Sequence, residues 1–249
     1  MSQAIGAFPV VKGVKSVTSN GGGGYQGLNS YSLQLNSQFF KTAACGSLAN
    51  CAGWEQFVYS NPPGSGQGAL FIQDWLVPMQ GSFPNCPPNA GWQFLGFGCV
   101  QNSAYGVYIP NVAAKDLHQV VETGVAASSG DSVYLSVGGT EYGMKNVQKD
   151  GITDLAKHWQ GAEFNIIGNG GDDIADFSGK SQITISIQTD TGLTKAPTCP
   201  PDSGTTGETN NLDFVTAPKA PAKLKYPSIY FTMNYKPGGT PSCDTVAGT

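Results

Sequence analysis

The chain has 249 residues, of which only 12% are charged, with 13 Lys and Arg against 17 Asp and Glu and a formal net charge of −4. This sparse, weakly acidic balance contains no basic patch and excludes a typical nucleic-acid partner. The 34 Gly and 16 Pro residues favour a loop-rich β protein over a helical one. Sandwiches of this length often form one unit, so we expect a single domain over residues 1–249.

The first predicted elements are strands separated by turns. Residues 1–28 contain a glycine run at Gly21–Gly24 and indicate a leader strand followed by a turn. Alternation of apolar with polar residues then predicts strands at Tyr31–Phe39, Trp54–Tyr59 and Leu70–Val77.

The rest of the chain continues this pattern with longer interruptions. A Pro-, Gly- and Cys-rich loop is predicted at 78–103, and 117–125 fits either a strand or a helix. The segment 190–227 has no periodicity and is predicted to be a long surface excursion. Further strands are predicted at 104–109, 132–137, 140–147, 182–188 and 228–234. About ten strands with little helix predict an all-β fold, an antiparallel β-sandwich.

Six cysteines indicate a disulfide framework and therefore an oxidising compartment. Sequential pairing is the simplest of fifteen connectivities and gives Cys45–Cys51, Cys86–Cys99 and Cys199–Cys243. The cysteines form no C-x-x-C motif, and only His118 and His158 accompany them, so we expect no metal site and no cofactor.

No stretch is apolar enough to span a membrane. The disulfide framework leads us to expect a secreted protein. Because the N-terminus lacks a typical signal sequence, either the signal was removed or export uses another route.

Three of the predicted strands place amide and aromatic side chains on one common face. The candidate binding residues on it are Gln34, Asn36, Trp54, Gln56, Phe71 and Trp75, and Gln38 and Gln73 share the face. In a curved sandwich such a face becomes a concave groove that suits a sugar or an extended peptide. An ordinary solvated sheet face is the alternative interpretation.

Several carboxylates are candidates for chemistry. Glu163 lies in a mostly apolar strand, where it is either simply exposed or partly buried in the groove, with a raised pKa that suits acid–base catalysis. Glu55 and Asp74 are candidate glycosidase carboxylates, but alternation points them away from the face of Gln73. The loop Asn169–Asp173, together with Asp176, fits either a calcium site or a polar turn, and we favour the turn.

Four short motifs occur in an order that resembles the glutamic peptidases, or eqolisins. They are Gly53-Trp54, Ala69–Gln73 (ALFIQ), Gly130–Val133 (GDSV) and 162–185 (AEFNIIGNGGDDIADFSGKSQITI), and the resemblance spans residues 53–187. It implies a concanavalin A-like jelly roll in which Glu163 and Gln73 lie side by side in the concave groove.

The resemblance also implies an acid endopeptidase that acts on polypeptides. In that mechanism Glu163 takes a proton from the attacking water, and the Gln73 amide stabilises the oxyanion. Because the usual pKa of a glutamate is about 4.3, an acidic working pH is expected. Two alternatives stay open. One is a non-catalytic lectin-like protein that binds glycan or protein through Trp54, Trp75 and the amides, and the other is a secreted self-associating or toxin-like protein.

Overall fold

The computed structural model describes residues 1–21, 24–88, 91–171, 173–199, 209–216, 219–221, 224–236 and 242–249. The first strands of the described chain are β1 (Gln3–Lys12), β2 (Val17–Asn20), β3 (Gly27–Leu28), β4 (Tyr31–Ser37), β5 (Cys51–Asn61), β6 (Gln67–Pro78), β7 (Gln93–Phe94), β8 (Cys99–Asn102) and β9 (Val107–Pro110). The later strands are β10 (Val120–Val125), β11 (Asp131–Val137), β12 (Thr140–Gln148), β13 (Ala162–Ile167), β14 (Ile174–Phe177), β15 (Gln182–Asp190), β16 (Thr209–Asn210), β17 (Asp213–Val215), β18 (Ser228–Asn234) and β19 (Cys243–Val246). Short 3-10 helices at Ala43–Cys45, Ala114–Gln119 and Asp150–Ile152 and one α-helix, α1 (Leu155–His158), interrupt them.

These strands form two large sheets and one small one. The first sheet has the order β12-β11-β10-β1-β15-β18-β17, with β19 also paired to β18. The second has the order β13-β4-β5-β6-β8-β7, with β9 also paired to β6, and the third has the order β16-β14-β2-β3. All these strand pairs are antiparallel except the two-residue pairing of β14 with β16. The predicted antiparallel β-sandwich is confirmed, whereas jelly-roll connectivity stays a prediction.

The main hydrophobic core lies between the two large sheets. Leu33, Phe57 and Ile72 reach it from the second sheet, and Leu135 and Ile185 reach it from the first. Because successive side chains of a strand point to opposite faces, the same strands present a second set of side chains away from this core.

Two predicted segments differ from the structure. The predicted loop at 78–103 contains the β7–β8 hairpin, because β8 pairs with β6 despite its turn-rich surroundings. The segment 117–125, predicted to be either a strand or a helix, contains both: the 3-10 helix Ala114–Gln119 ends where strand β10 begins. The surface excursion at 190–227 carries the short strands β16 and β17, and part of it lies outside the described residues.

The sequential disulfide pairing is confirmed, since Cys45–Cys51, Cys86–Cys99 and Cys199–Cys243 are all bonded. Three disulfides indicate folding in an oxidising environment. Among the described residues, no helix has both the length and the apolar character needed to cross a membrane.

Strand β13 is fixed to the core through Phe164. Its ring is fully buried, and its centroid lies 5.0 Å from that of Phe8 on β1. A Cβ built on Gly6 would lie only 2.4 Å from Cγ of Phe164, so the ring occupies the space that any side chain at position 6 would need. This close approach holds the strand of Glu163 against the first sheet.

Gly6→Ala is therefore expected to destabilise the fold by about 1–3 kcal/mol, the usual cost of overpacking a core. The smaller side chain in a Phe164→Leu background should reduce that cost. Gly151→Ala is the matched control, because a Cβ there meets no atom within 4 Å. Urea unfolding of the wild type and of Gly6→Ala, Phe164→Leu, the double variant and Gly151→Ala gives the free energy of unfolding of each. An equal cost of Gly6→Ala in the wild-type and Phe164→Leu backgrounds would contradict the proposed contact between the two residues.

Candidate functional site

A row of polar side chains crosses the second sheet on the face away from the core. Five residues are successive register partners on β13, β4, β5, β6 and β8, namely Glu163, Asn36, Gln56, Gln73 and Asn102. Because cross-strand partners project to the same side of a sheet, these side chains form one continuous line. The predicted polar face therefore exists, and we call this line the polar row.

Glu163 lies at one end of the polar row, beside an amide. Asn36 Nδ2 donates a hydrogen bond to Glu163 Oε1 at 3.0 Å. Asn36 is almost fully buried, whereas Glu163 is partly exposed. This places a solvent-accessible carboxylate and a fixed amide side by side.

Gln73 is not next to Glu163. Strands β4 and β5 lie between them, so three strand spacings of about 4.8 Å separate their backbones by roughly 14 Å. The Gln73 amide instead donates to Asn102 Oδ1 at 2.8 Å. The expectation that Glu163 and Gln73 lie side by side is wrong, because the order of motifs along the chain does not fix the order of strands in the sheet.

The other predicted binding residues are mostly engaged with one another. Gln56 Nε2 donates to Gln34 Oε1, and both side chains are buried. The Trp54 indole is 4% exposed and donates through Nε1 to Ser37 O at 3.0 Å. Phe71 is partly exposed on the same face as these residues. The buried amides act as a cross-strand network that stiffens the face.

The two indoles on this face contact other aromatic rings. The centroid of Trp54 lies 5.7 Å from that of Phe39 and 6.2 Å from that of Trp75. Trp75 is also stacked on Phe97, with centroids 6.1 Å apart and planes inclined by 19°. These existing contacts disfavour stacking of either indole on a sugar ring.

A groove of about 1180 Å³ opens beside Glu163. One wall is the edge strand β13, together with Phe39 and Trp54. The other wall comes from the first sheet and consists of Phe214, Ile229 and Phe231 on β17 and β18. This second wall was not predicted from the sequence. Ile229 and Phe231 alternate within a predicted strand, but no sequence signal shows that this strand faces β13.

The outer edge of β13 presents backbone groups to the groove. Gln38 donates its backbone N–H to Gly161 O, so the odd-numbered residues of this segment direct their backbone groups towards β4. The even-numbered residues point outwards, as the bond from Asn210 Nδ2 to Ile166 O at 2.9 Å shows. Ala162 and Phe164 both border the groove, and of the two Ala162 is partly exposed whereas Phe164 is fully buried.

The acidic loop after β13 is a structural turn. Asp173 is buried and accepts hydrogen bonds from Ser19 Oγ at 2.8 Å and Gln26 Nε2 at 3.2 Å. Asp176 accepts from Asn20 and Asn211. Asp172, which also belongs to the candidate calcium loop, lies outside the described residues. Within the described part of the chain, no group of three or more His, Cys, Asp or Glu side chains is arranged to hold a metal ion.

A cluster of carboxylates lies on the core side of the same strands. Glu55 and Asp74 are cross-strand partners that are essentially unexposed, which confirms that they point away from the face of Gln73. Thr153 Oγ1 lies 3.1 Å from Glu55 Oε2 and 3.0 Å from Asp74 Oδ1, and Gln148 Nε2 donates to Asp74 Oδ2. Asp131, on β11, is also buried close to this pair. The cluster is closed to solvent, so it does not suit glycoside hydrolysis.

Burial raises the pKa values of these carboxylates. It raises the pKa of Asp74 to about 6 and, with the neighbouring charges of Asp150 and Asp74, that of Asp131 to about 8. Burial first, and the Asp74 charge second, raise the pKa of Glu55 well above its usual range. The proximity of Asp74 adds to the rise in the pKa of Glu55, whereas the proximity of Glu55 opposes the rise in the pKa of Asp74. Elsewhere in the core, burial alone raises the pKa of Glu122.

These shifts predict a protein that is more stable in acid. The unfolded chain has carboxyl pKa values of about 4, so the folded state binds more protons than the unfolded state above that pH. The stabilisation from protonated carboxyls is complete below about pH 4 and is lost as pH rises through about 6 and about 8. We expect the free energy of unfolding, measured with urea, to fall across this interval.

Asp131→Asn should flatten the upper part of this pH dependence, because an amide has no proton to lose there. The exposed Asp213→Asn is the matched control and should leave the profile unchanged. A wild-type stability that stays constant or rises between about pH 5 and 8 would contradict the assignment.

Comparisons of the chain with protein-family models, curated proteins and solved structures found no match. The interpretation of the groove therefore rests on its own geometry.

Proposed function

We propose that this chain acts outside the cell and binds an extended polypeptide in the groove beside β13. The observation that supports this most strongly is the edge strand that forms one wall of the groove. An exposed sheet edge accepts an extended peptide as an additional strand, with main-chain hydrogen bonds to its unpaired side. The three disulfides agree with an extracellular setting.

The groove offers both elements of such a site. The outward backbone N–H and C=O of Ala162, which is partly exposed, supply a donor and an acceptor at the groove. Phe214 and Phe231, whose centroids are 5.5 Å apart, form an apolar surface across the groove. A peptide strand on β13 would place alternate side chains against these rings. Polypeptide is favoured over glycan because Trp54 and Trp75 are already packed on other aromatic rings.

Phe214→Asp is expected to reduce peptide capture more than roughly tenfold, because it places a charge on the apolar wall. Phe214 is 37% exposed, so the fold should tolerate the change. The measurement incubates immobilised protein with a mixed decapeptide library and quantifies retained peptides by mass spectrometry. Tyr108→Asp is the matched control, since Tyr108 is an exposed aromatic residue outside the groove. Equal capture by wild type and Phe214→Asp would contradict the proposal.

Hydrolysis of the bound polypeptide is the second candidate function. It is favoured by the Glu163–Asn36 hydrogen bond, which sets an amide beside a partly exposed carboxylate that lines the groove. In this arrangement Glu163 activates the attacking water and later protonates the leaving amine. Asn36 orients the carboxylate, whereas the peptidase resemblance gives Gln73 a different part, the stabilisation of the oxyanion.

Glu163→Gln should abolish cleavage if the chain is an acid peptidase, whereas Gln73→Ala should retain it, because two strands separate Gln73 from Glu163. Products from the peptide library are read by mass spectrometry from about pH 2 to 7, the range over which a glutamate changes charge. If folded Gln73→Ala lost cleavage, Gln73 would again be assigned as the catalytic partner of Glu163, as the peptidase resemblance implies. If peptides were captured but not cleaved at any pH, the chain would be a polypeptide-binding protein without peptidase activity.

A further inference from the structure

The β7–β8 hairpin ends in a turn of exposed apolar side chains. Phe94, Leu95 and Phe97 are 43%, 50% and 48% exposed. The backbone N–H of Leu95 donates to Gly98 O at 3.0 Å, and Gly96 has a φ of +85°, so the turn is tight and closed on itself. Its apolar side chains are therefore displayed to solvent by a defined backbone. We call residues 94–97 the apolar tip.

The apolar tip is anchored to a rigid part of the fold. The Cys86–Cys99 disulfide ties β8 to the preceding loop, and Phe83 donates its backbone N–H to Phe97 O at 3.1 Å. The Phe97 ring is stacked on Trp75 of β6. A tip held in this way does not need to be ordered when it binds, which reduces the entropic cost of association.

The segment 42–114, which carries the apolar tip, contains few charges. Between Lys41 and Lys115 the only charged residues in the sequence are Glu55 and Asp74, and both are buried in the core. The described surface formed by this segment therefore has no charged side chain to desolvate. It also has no Lys or Arg that would select an anionic partner.

We propose that the apolar tip inserts into the interface of an electrically neutral lipid bilayer. An apolar tip on a segment without exposed charges matches a zwitterionic membrane, whose interface accepts aromatic and aliphatic side chains without ion pairing. A second copy of the chain fits less well. The three half-exposed side chains offer roughly 300 Å², whereas a stable interface buries about 800 Å² on each partner. This inference does not depend on the groove beside β13.

The test is flotation of the purified protein with vesicles of pure phosphatidylcholine. We expect wild-type protein to float with the vesicles and to remain bound in 1 M NaCl, a concentration that screens charges beyond about 3 Å. Leu95→Asp should lower the partition coefficient more than roughly tenfold, because it removes an inserted apolar side chain and adds a charge. Leu28→Asp is the matched control, since Leu28 is an exposed leucine of β3 in the third sheet.

Thermal unfolding of each variant shows whether it is folded, and Leu95→Ser replaces Leu95→Asp if the charge prevents folding. Absence of wild-type protein from the floated fraction at saturating lipid would overturn the proposal, as would equal flotation of the tip variants and wild type. A doubled mass in solution that Leu95→Asp returns to the monomer would also overturn it, because the tip would then join two copies of the chain.

Discussion

The packing of Phe164 into the space left by Gly6 is the contact on which the site depends. It buries one face of β13 against the first sheet, and strand alternation then turns Glu163 to the opposite face. The pairing of β13 with β4 sets Asn36, rather than any other amide, beside the carboxylate. It also leaves the outer edge of β13 facing Phe214 and Phe231 across the groove. One buried ring thus positions the carboxylate, its amide and the open strand edge.

The two surfaces proposed for binding lie at opposite edges of the second sheet. β13 forms one edge with the groove beside it, and β7 forms the other with the apolar tip. The polar row runs across the strands between them, and its buried amides make a stiff link. A protein held at a membrane through residues 94–97 would keep the groove of β13 on the far side of this sheet, where a polypeptide has access.

Alternation of residue types was enough to predict most strands, the polar face and the inward direction of Glu55 and Asp74, because burial of one face is a local property of each strand. It did not predict that Glu163 and Gln73 are separated, because strand order depends on contacts between residues far apart in sequence. The β8 strand was missed for the same reason, since its pairing with β6 stabilises a turn-rich segment. The clustering of Asp131 with Glu55 and Asp74 likewise needs both sheets.

The central claim is that an extended polypeptide adds to the outer edge of β13, and amide hydrogen exchange by NMR tests it most directly. The account predicts fast exchange of the partly exposed Ala162 amide in the free protein and strong protection once a library-selected peptide is bound. The Glu163 and Asn165 amides, which face β4, should exchange slowly in both states. Unchanged exchange at Ala162 with peptide bound would contradict strand addition at this edge.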